Sequence, residues 1–150
     1  MKNIFDQDIS TQLIDRINQL TPVTEKLWGK MTVAQMLAHC NVPYAMIYTN
    51  NYSKPNWFKK FLLKLFVKRA VVGEKPYPRN GRTSPEFIIK AQRDYTLEKK
   101  LLIENIKKTQ ALGEAHFDHK ESHSFGKLTT KEWSTLFYKH LDHHLKQFGV

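Results

Sequence analysis

Apolar residues recur at three- and four-residue steps along most of the chain, and few segments alternate as strands do. Ile9, Leu13, Ile17 and Leu20 predict a first amphipathic helix over Asp6 to Leu20, which Thr21-Pro22 then stops. Thr32 is placed to cap a second helix carrying Val33, Met36, Leu37 and Cys40. Pro43, which has no N–H, should kink or shift that helix. A polar stretch from Thr49 to Pro55 reads as loop, and GEKPYPRNGRTSP must be irregular. Ser84-Pro85-Glu86 has the form of a helix start, so the third helix is expected from about Glu86 to Leu112. Phe87, Ala91, Tyr95, Leu102 and Ile106 would supply its inner face, and Gly113 is placed to end it. Thr129 and Glu132 form a capping-box signature for a fourth helix that runs to about Phe148. The expected fold is all-α: a four-helix bundle with a long crossover between helices 2 and 3, in a single domain over residues 1–150.

An internal echo accompanies this pattern. Trp28-Gly29-Lys30-Met31-Thr32 precedes the second helix and Phe125-Gly126-Lys127-Leu128-Thr129 precedes the fourth. Both read aromatic, Gly, Lys, apolar, Thr, which suits a staple-like contact around a capped helix start. A structural role suffices for both.

Charge changes the picture in one place. The formal net charge is +10, and from Lys54 to Lys100 thirteen Lys/Arg face four Asp/Glu, so nearly all the excess lies in the crossover. There, Trp57, Phe58, Phe61, Leu62, Leu65 and Phe66 interleave with lysines at helical spacing. The expectation is a connecting helix that packs its aromatic face on the body and solvates its lysines. An anionic membrane surface is the rival partner; no recognised nucleic-acid motif accompanies the charge, and nucleic acid is set aside. A lone cysteine, Cys40, removes internal disulfides and cysteine-rich zinc motifs and reads as a small core residue. With no apolar run long enough to span a bilayer and acidic residues near the start, a cytoplasmic protein is expected.

The histidines carry the candidate chemistry. With roughly 100° per residue, His140 and His144 continue the apolar stripe of the fourth helix formed by Trp133, Phe137, Leu141 and Phe148, and His143 falls at its rim. Residues four apart project from successive turns, so their imidazoles can converge on one ion. His39 lies on the buried side of the second helix, and together the three make a candidate His₃ metal site with positions left open. The spacing alone is a weak signal, since inward histidines are more often hydrogen-bonded core residues. His116, His119 and His123 form a second group in a polar loop, where solvated histidines are the simpler reading.

WGKMTVAQMLAHC, FGKLTTKEW, HLDHHLKQFG and GEKPYPRNGRTSPEF together resemble the DinB/YfiT-like metalloenzyme superfamily, closest to a bacterial branch with this paired pattern. The likeness spans nearly the whole chain and implies a four-helix bundle. It also implies a divalent metal, zinc or nickel, on His39, His140 and His144. One departure is Ser124, which stands where the branch usually has proline. The implied function is a metal-dependent enzyme acting on a small molecule, of hydrolase or thiol S-transferase type, the latter with a low-molecular-weight thiol. Its alternative is a non-catalytic ligand-binding or peripheral membrane-associating domain. Tyr44 and Trp133 are candidates to line a pocket, and His123 and His143 to shuttle protons. A homodimer is also admitted.

Overall fold

The computed structural model describes residues 2–150. It is mostly helical, with one two-stranded ribbon. The long helices are α1 (Gln7–Gln19), α2 (Val33–Tyr48), α5 (Tyr95–Phe117) and α6 (Thr130–Gln147). Between α2 and α5 lie α3 (Trp57–Leu62), a π-helical turn (Leu63–Val67), α4 (Lys68–Val72) and a 3₁₀ turn (Pro85–Phe87). Strands β1 (Glu121–Ser122) and β2 (Gly126–Lys127) pair antiparallel just before α6.

The four long helices share one apolar core. Leu13 and Ile17 of α1, Met36 and Leu37 of α2, Leu102 and Ile106 of α5, and Trp133, Phe137 and Leu141 of α6 are all buried in it. Helix α2 is buried on nearly every side from Met36 to Tyr44, so it lies at the centre rather than on a face. Its buried polar Asn41 is satisfied: the amide donates to the Glu98 carbonyl and carboxylate, and its oxygen accepts from Asn105. Pro43 sits inside α2 without ending it. It does remove the donor that the His39 carbonyl, four residues back, would otherwise receive.

Both echoed entries are built alike. Gly29 and Gly126 have φ of 85° and 77°, and Thr32 and Thr129 each close a capping box, with Gln35 and Glu132. The box at Thr129 follows the expectation; the partner of Thr32 is an additional finding.

Two expectations fail in the crossover. The third helix does not start at Glu86: Pro85–Phe87 is a single 3₁₀ turn, and α5 starts at Tyr95, capped by Asp94, whose carboxylate accepts from the Leu97 N–H. Ser84 caps nothing, because the chain after Phe87 runs on extended to reach across α2. Gly113 breaks α5 as expected, with φ 71° and ψ 178°, but a further turn carries Phe117 into the core. The second failure is the basic segment. Its aromatic side chains do not pack on the body; Trp57, Phe58, Phe61 and Phe66 are exposed.

Tyr44 was a candidate to line a pocket, yet it is in the core, stacked on Phe137 at 4.8 Å between ring centroids. Its hydroxyl is buried without a hydrogen-bond partner. Such a group carries its desolvation cost unrepaid, so Tyr44→Phe is expected to leave stability unchanged or raise it by about 1 kcal/mol. Urea unfolding at neutral pH measures this.

Candidate metal centre

His39 comes from the middle of α2, and His140 and His144 come from successive turns of α6. One ring nitrogen from each lies within 4.8 Å of the others, a group able to hold a metal ion. His39 and His144 are buried, while His140 is partly exposed.

The ring nitrogens facing away from the cluster decide which protons the imidazoles carry. His39 Nδ1 lies 2.8 Å from the Phe87 carbonyl, which can only accept, so Nδ1 holds the proton and Nε2 presents a lone pair. His144 Nδ1 lies 2.8 Å from Gln147 Oε1. The orientation of that amide is set by its other end, because Gln147 Nε2 donates to the Trp28 carbonyl at 2.8 Å. His144 is thus also protonated at Nδ1 with Nε2 free. His140 Nε2 stands 2.9 Å from His39 Nε2 and donates to it.

Two of the three lone pairs are therefore preset, and moving the His140 proton to Nδ1 frees the third. Two imidazoles on one tetrahedral zinc stand about 3.3 Å apart. The gap from 2.9 Å is within small side-chain adjustment. An outer N–H donated to a backbone carbonyl, as at His39, is also a usual support of a metal-bound histidine, and the Gln147 amide oxygen takes the same place at His144.

Burial pushes all three imidazoles toward the neutral form that ligation requires. Desolvation lowers the pKa of His39, offset in part by the Phe87 carbonyl, and takes His144 down to about 3. His140 lies well below the ordinary value, first through burial and then through His144 and His39.

Aromatic rings frame the cluster. Phe87 packs edge-on to His39 and His140, with centroids at 5.4 and 5.9 Å. His143 packs against His144 at 5.0 Å and is itself met by Tyr77 and Trp28 at 5.6 and 6.1 Å. The Arg79 guanidinium lies over the Trp28 ring at 4.3 Å. His143 is accordingly the one proton-shuttle candidate that the fold brings beside the cluster. His123 is not brought there: its ring nitrogens meet Ser124 Oγ and the Ser53 carbonyl. Trp133, like Tyr44, is a core residue and lines no pocket at the histidines; its indole N–H donates to the Lys120 carbonyl. Cys40 is buried with its thiol pKa pushed up and its Sγ against Met36, which fits the core reading. Asp142 and Glu132 pair elsewhere, with Arg16 and Lys68.

Three supports were not anticipated. Gln147 lies within about 20° of His140 on the helical wheel, so its inward position was available from periodicity. The spacing predicts the Phe87 side chain on a helix face, whereas it is the Phe87 backbone carbonyl that accepts from His39. Lys139 gave no signal at all. It lies off the apolar stripe, yet it is buried, and its ammonium donates to the carbonyls of Ala70, Gly73 and Lys75. That clamp fixes the crossover next to His140.

A family model, "Protein of unknown function (DUF1569)", matches residues 6–149. The chain belongs to the DUF1569 family. No curated protein and no solved structure matches it. The matched span of the family contains the whole histidine cluster and both glycine entries.

The two glycines give a matched test. A Cβ on Gly29 would lie 2.3 Å from Gln147 Nε2, whereas a Cβ on Gly126 meets nothing within 4 Å. Both alanine substitutions should cost about 1 kcal/mol of backbone strain. Only Gly29→Ala should displace the amide that orients His144, lowering zinc affinity roughly tenfold or more in a chelator competition.

The metal-free protein should also be acid-sensitive. Unfolded histidines take up protons near 6.5, whereas folded His144 resists until about 3, so unfolding absorbs protons between these values. Stability is complete above 6.5 and falls as the pH drops, by about 2 kcal/mol at pH 5 from His144 alone. Urea midpoints across this range, with His144→Gln as the reference, measure the slope.

Proposed function

We propose that this chain is a DinB/YfiT-like four-helix bundle in which His39, His140 and His144 bind one divalent metal ion, zinc or nickel. In this reading it is a metal-dependent enzyme acting on a small molecule, as a hydrolase or thiol S-transferase. The observation that carries it is the set of outer-nitrogen donors, which leave two Nε2 lone pairs aimed inward and a third one proton shift away. Three protein ligands leave a coordination position unfilled by the chain, which suits a catalytic rather than a closed structural ion. When bound, the cation supplies Lewis acidity that lowers the pKa of a coordinated water or thiol.

The chain's own residues have separate tasks. Phe87, Trp28 and Tyr77 exclude water from the rim of the cluster. His143 has its pKa lowered mainly by burial, which leaves it neutral and able to accept a proton at that rim. Asp142, beside it in sequence, is held by Arg16 and Lys146 and raises the His143 pKa in part.

Metal analysis of protein purified without a histidine tag tests the reading. About one equivalent of zinc or nickel is expected, falling at least tenfold in affinity for His144→Ala. Less than half an equivalent, unchanged by that substitution, would overturn it.

A further inference from the structure

The segment from Lys54 to Gly73 carries six Lys/Arg and no Asp/Glu. On a wheel of about 100° per residue, Trp57, Phe58, Phe61, Leu62 and Leu65 fall within a sector about 140° wide. An ordinary surface helix turns such a stripe inward. Here it is turned outward. Trp57 is 80% exposed, Phe66 71%, Leu65 59% and Phe61 57%.

Over residues 57–70 the half-buried ones are Lys60, Leu63 and Lys68: Lys60 pairs with Glu121, and Lys68 pairs with Glu132 of α6. Lys59 pairs with Glu86, and His123 meets the Ser53 carbonyl at the segment's entrance. The π-helical turn takes up an extra residue, which lets Lys68 fall on the same side as Lys60. Lys139 clamps the carbonyls at the segment's far end. The outward orientation is thus anchored at both ends by specific contacts.

Four exposed rings present an apolar area on the order of 500 Å², near the upper limit for the largest patch on a typical soluble monomer, before the leucines are added. We propose that this face, residues 57–67, docks on an anionic lipid surface. Trp57, Phe58, Phe61, Leu65 and Phe66 enter the boundary between headgroups and acyl chains, and Lys54, Lys64 and Arg69 meet the headgroup charge. Those three cations are exposed and have no acidic partner within salt-bridge distance among the described residues.

The charge distribution also selects among occupants. A second copy of this face would set Lys54, Lys64 and Arg69, none of them with an acidic partner among the described residues, against the same three cations. A nucleic acid would use the cations and rings but leave Leu62 and Leu65 unmatched. A lipid surface satisfies both the charge and the aliphatic side chains. Among the described residues no helix is long and apolar enough to cross a membrane, so the contact is peripheral.

Vesicle co-sedimentation of the full chain tests this, using phosphatidylcholine alone and with about one third phosphatidylglycerol. The anionic vesicles should bind at least about tenfold more strongly, with binding weakened by salt and Trp emission shifted to the blue. Phe61→Ser with Phe66→Ser, and separately Lys64→Glu with Arg69→Glu, should each reduce binding about tenfold or more. All four positions are exposed, so circular dichroism and melting temperature should be unchanged. Equal binding to neutral vesicles, or binding indifferent to the serine pair, would overturn the proposal. So would a dimer that the serine pair dissolves without any vesicle binding, or tighter binding to a duplex oligonucleotide than to vesicles.

Discussion

An imidazole removed from water keeps the proton that its outer hydrogen bond allows, and three such rings meet between α2 and α6. Much of the surrounding architecture can be understood as serving the outer nitrogens. His39 needs a carbonyl acceptor, and the chain after α4 must reach over α2 to bring Phe87 there. His144 needs an oriented amide, and Gln147 is held by the Trp28 carbonyl at a left-handed Gly29, where a side chain would collide with it. Two segments distant in sequence are therefore tied to the same pair of helices by hydrogen bonds that end on the supports of the cluster. Desolvation then holds the rings neutral, so their approach costs no charge repulsion at neutral pH.

The crossover follows the same logic from its other side. It could have buried its aromatic stripe and solvated its lysines, which is the usual solution for an amphipathic surface helix. Instead, Lys60 and Lys68 find carboxylates on the body, and Lys139 offers a buried ammonium to three backbone carbonyls. These contacts hold the segment with its apolar side outward. They also hold Tyr77 against His143, so the exposed face and the rim of the histidine cluster share one support.

Legibility differed by kind of residue. The helices α1, α2 and α6, their caps at Thr32 and Thr129, and the break at Gly113 could be read from spacing, because each depends on neighbours within a turn or two. His39, His140 and His144 could be singled out for the same reason, two of them lying on one face of one helix. Ser84-Pro85-Glu86 misled, since a local start signal says nothing of a distant histidine that needs the Phe87 carbonyl. Aromatic residues suit pockets as well as cores, so spacing alone does not place Tyr44 and Trp133 in one or the other. Only the stacking on Phe137 separates the two.

By itself the sequence determined the periodicity of the main helices, their caps and breaks, the concentration of positive charge in the crossover and the inward phase of the histidines. All of these are short-range properties of a chain with a fixed helical repeat. The tertiary structure alone decided which nitrogen of each histidine carries the proton, which way the aromatic stripe faces, and that Lys139 is buried. Those depend on groups from elements tens of residues away: the Phe87 carbonyl for His39, the Trp28 carbonyl that orients the Gln147 amide for His144, and the carboxylates that hold the crossover. No local pattern encodes their positions.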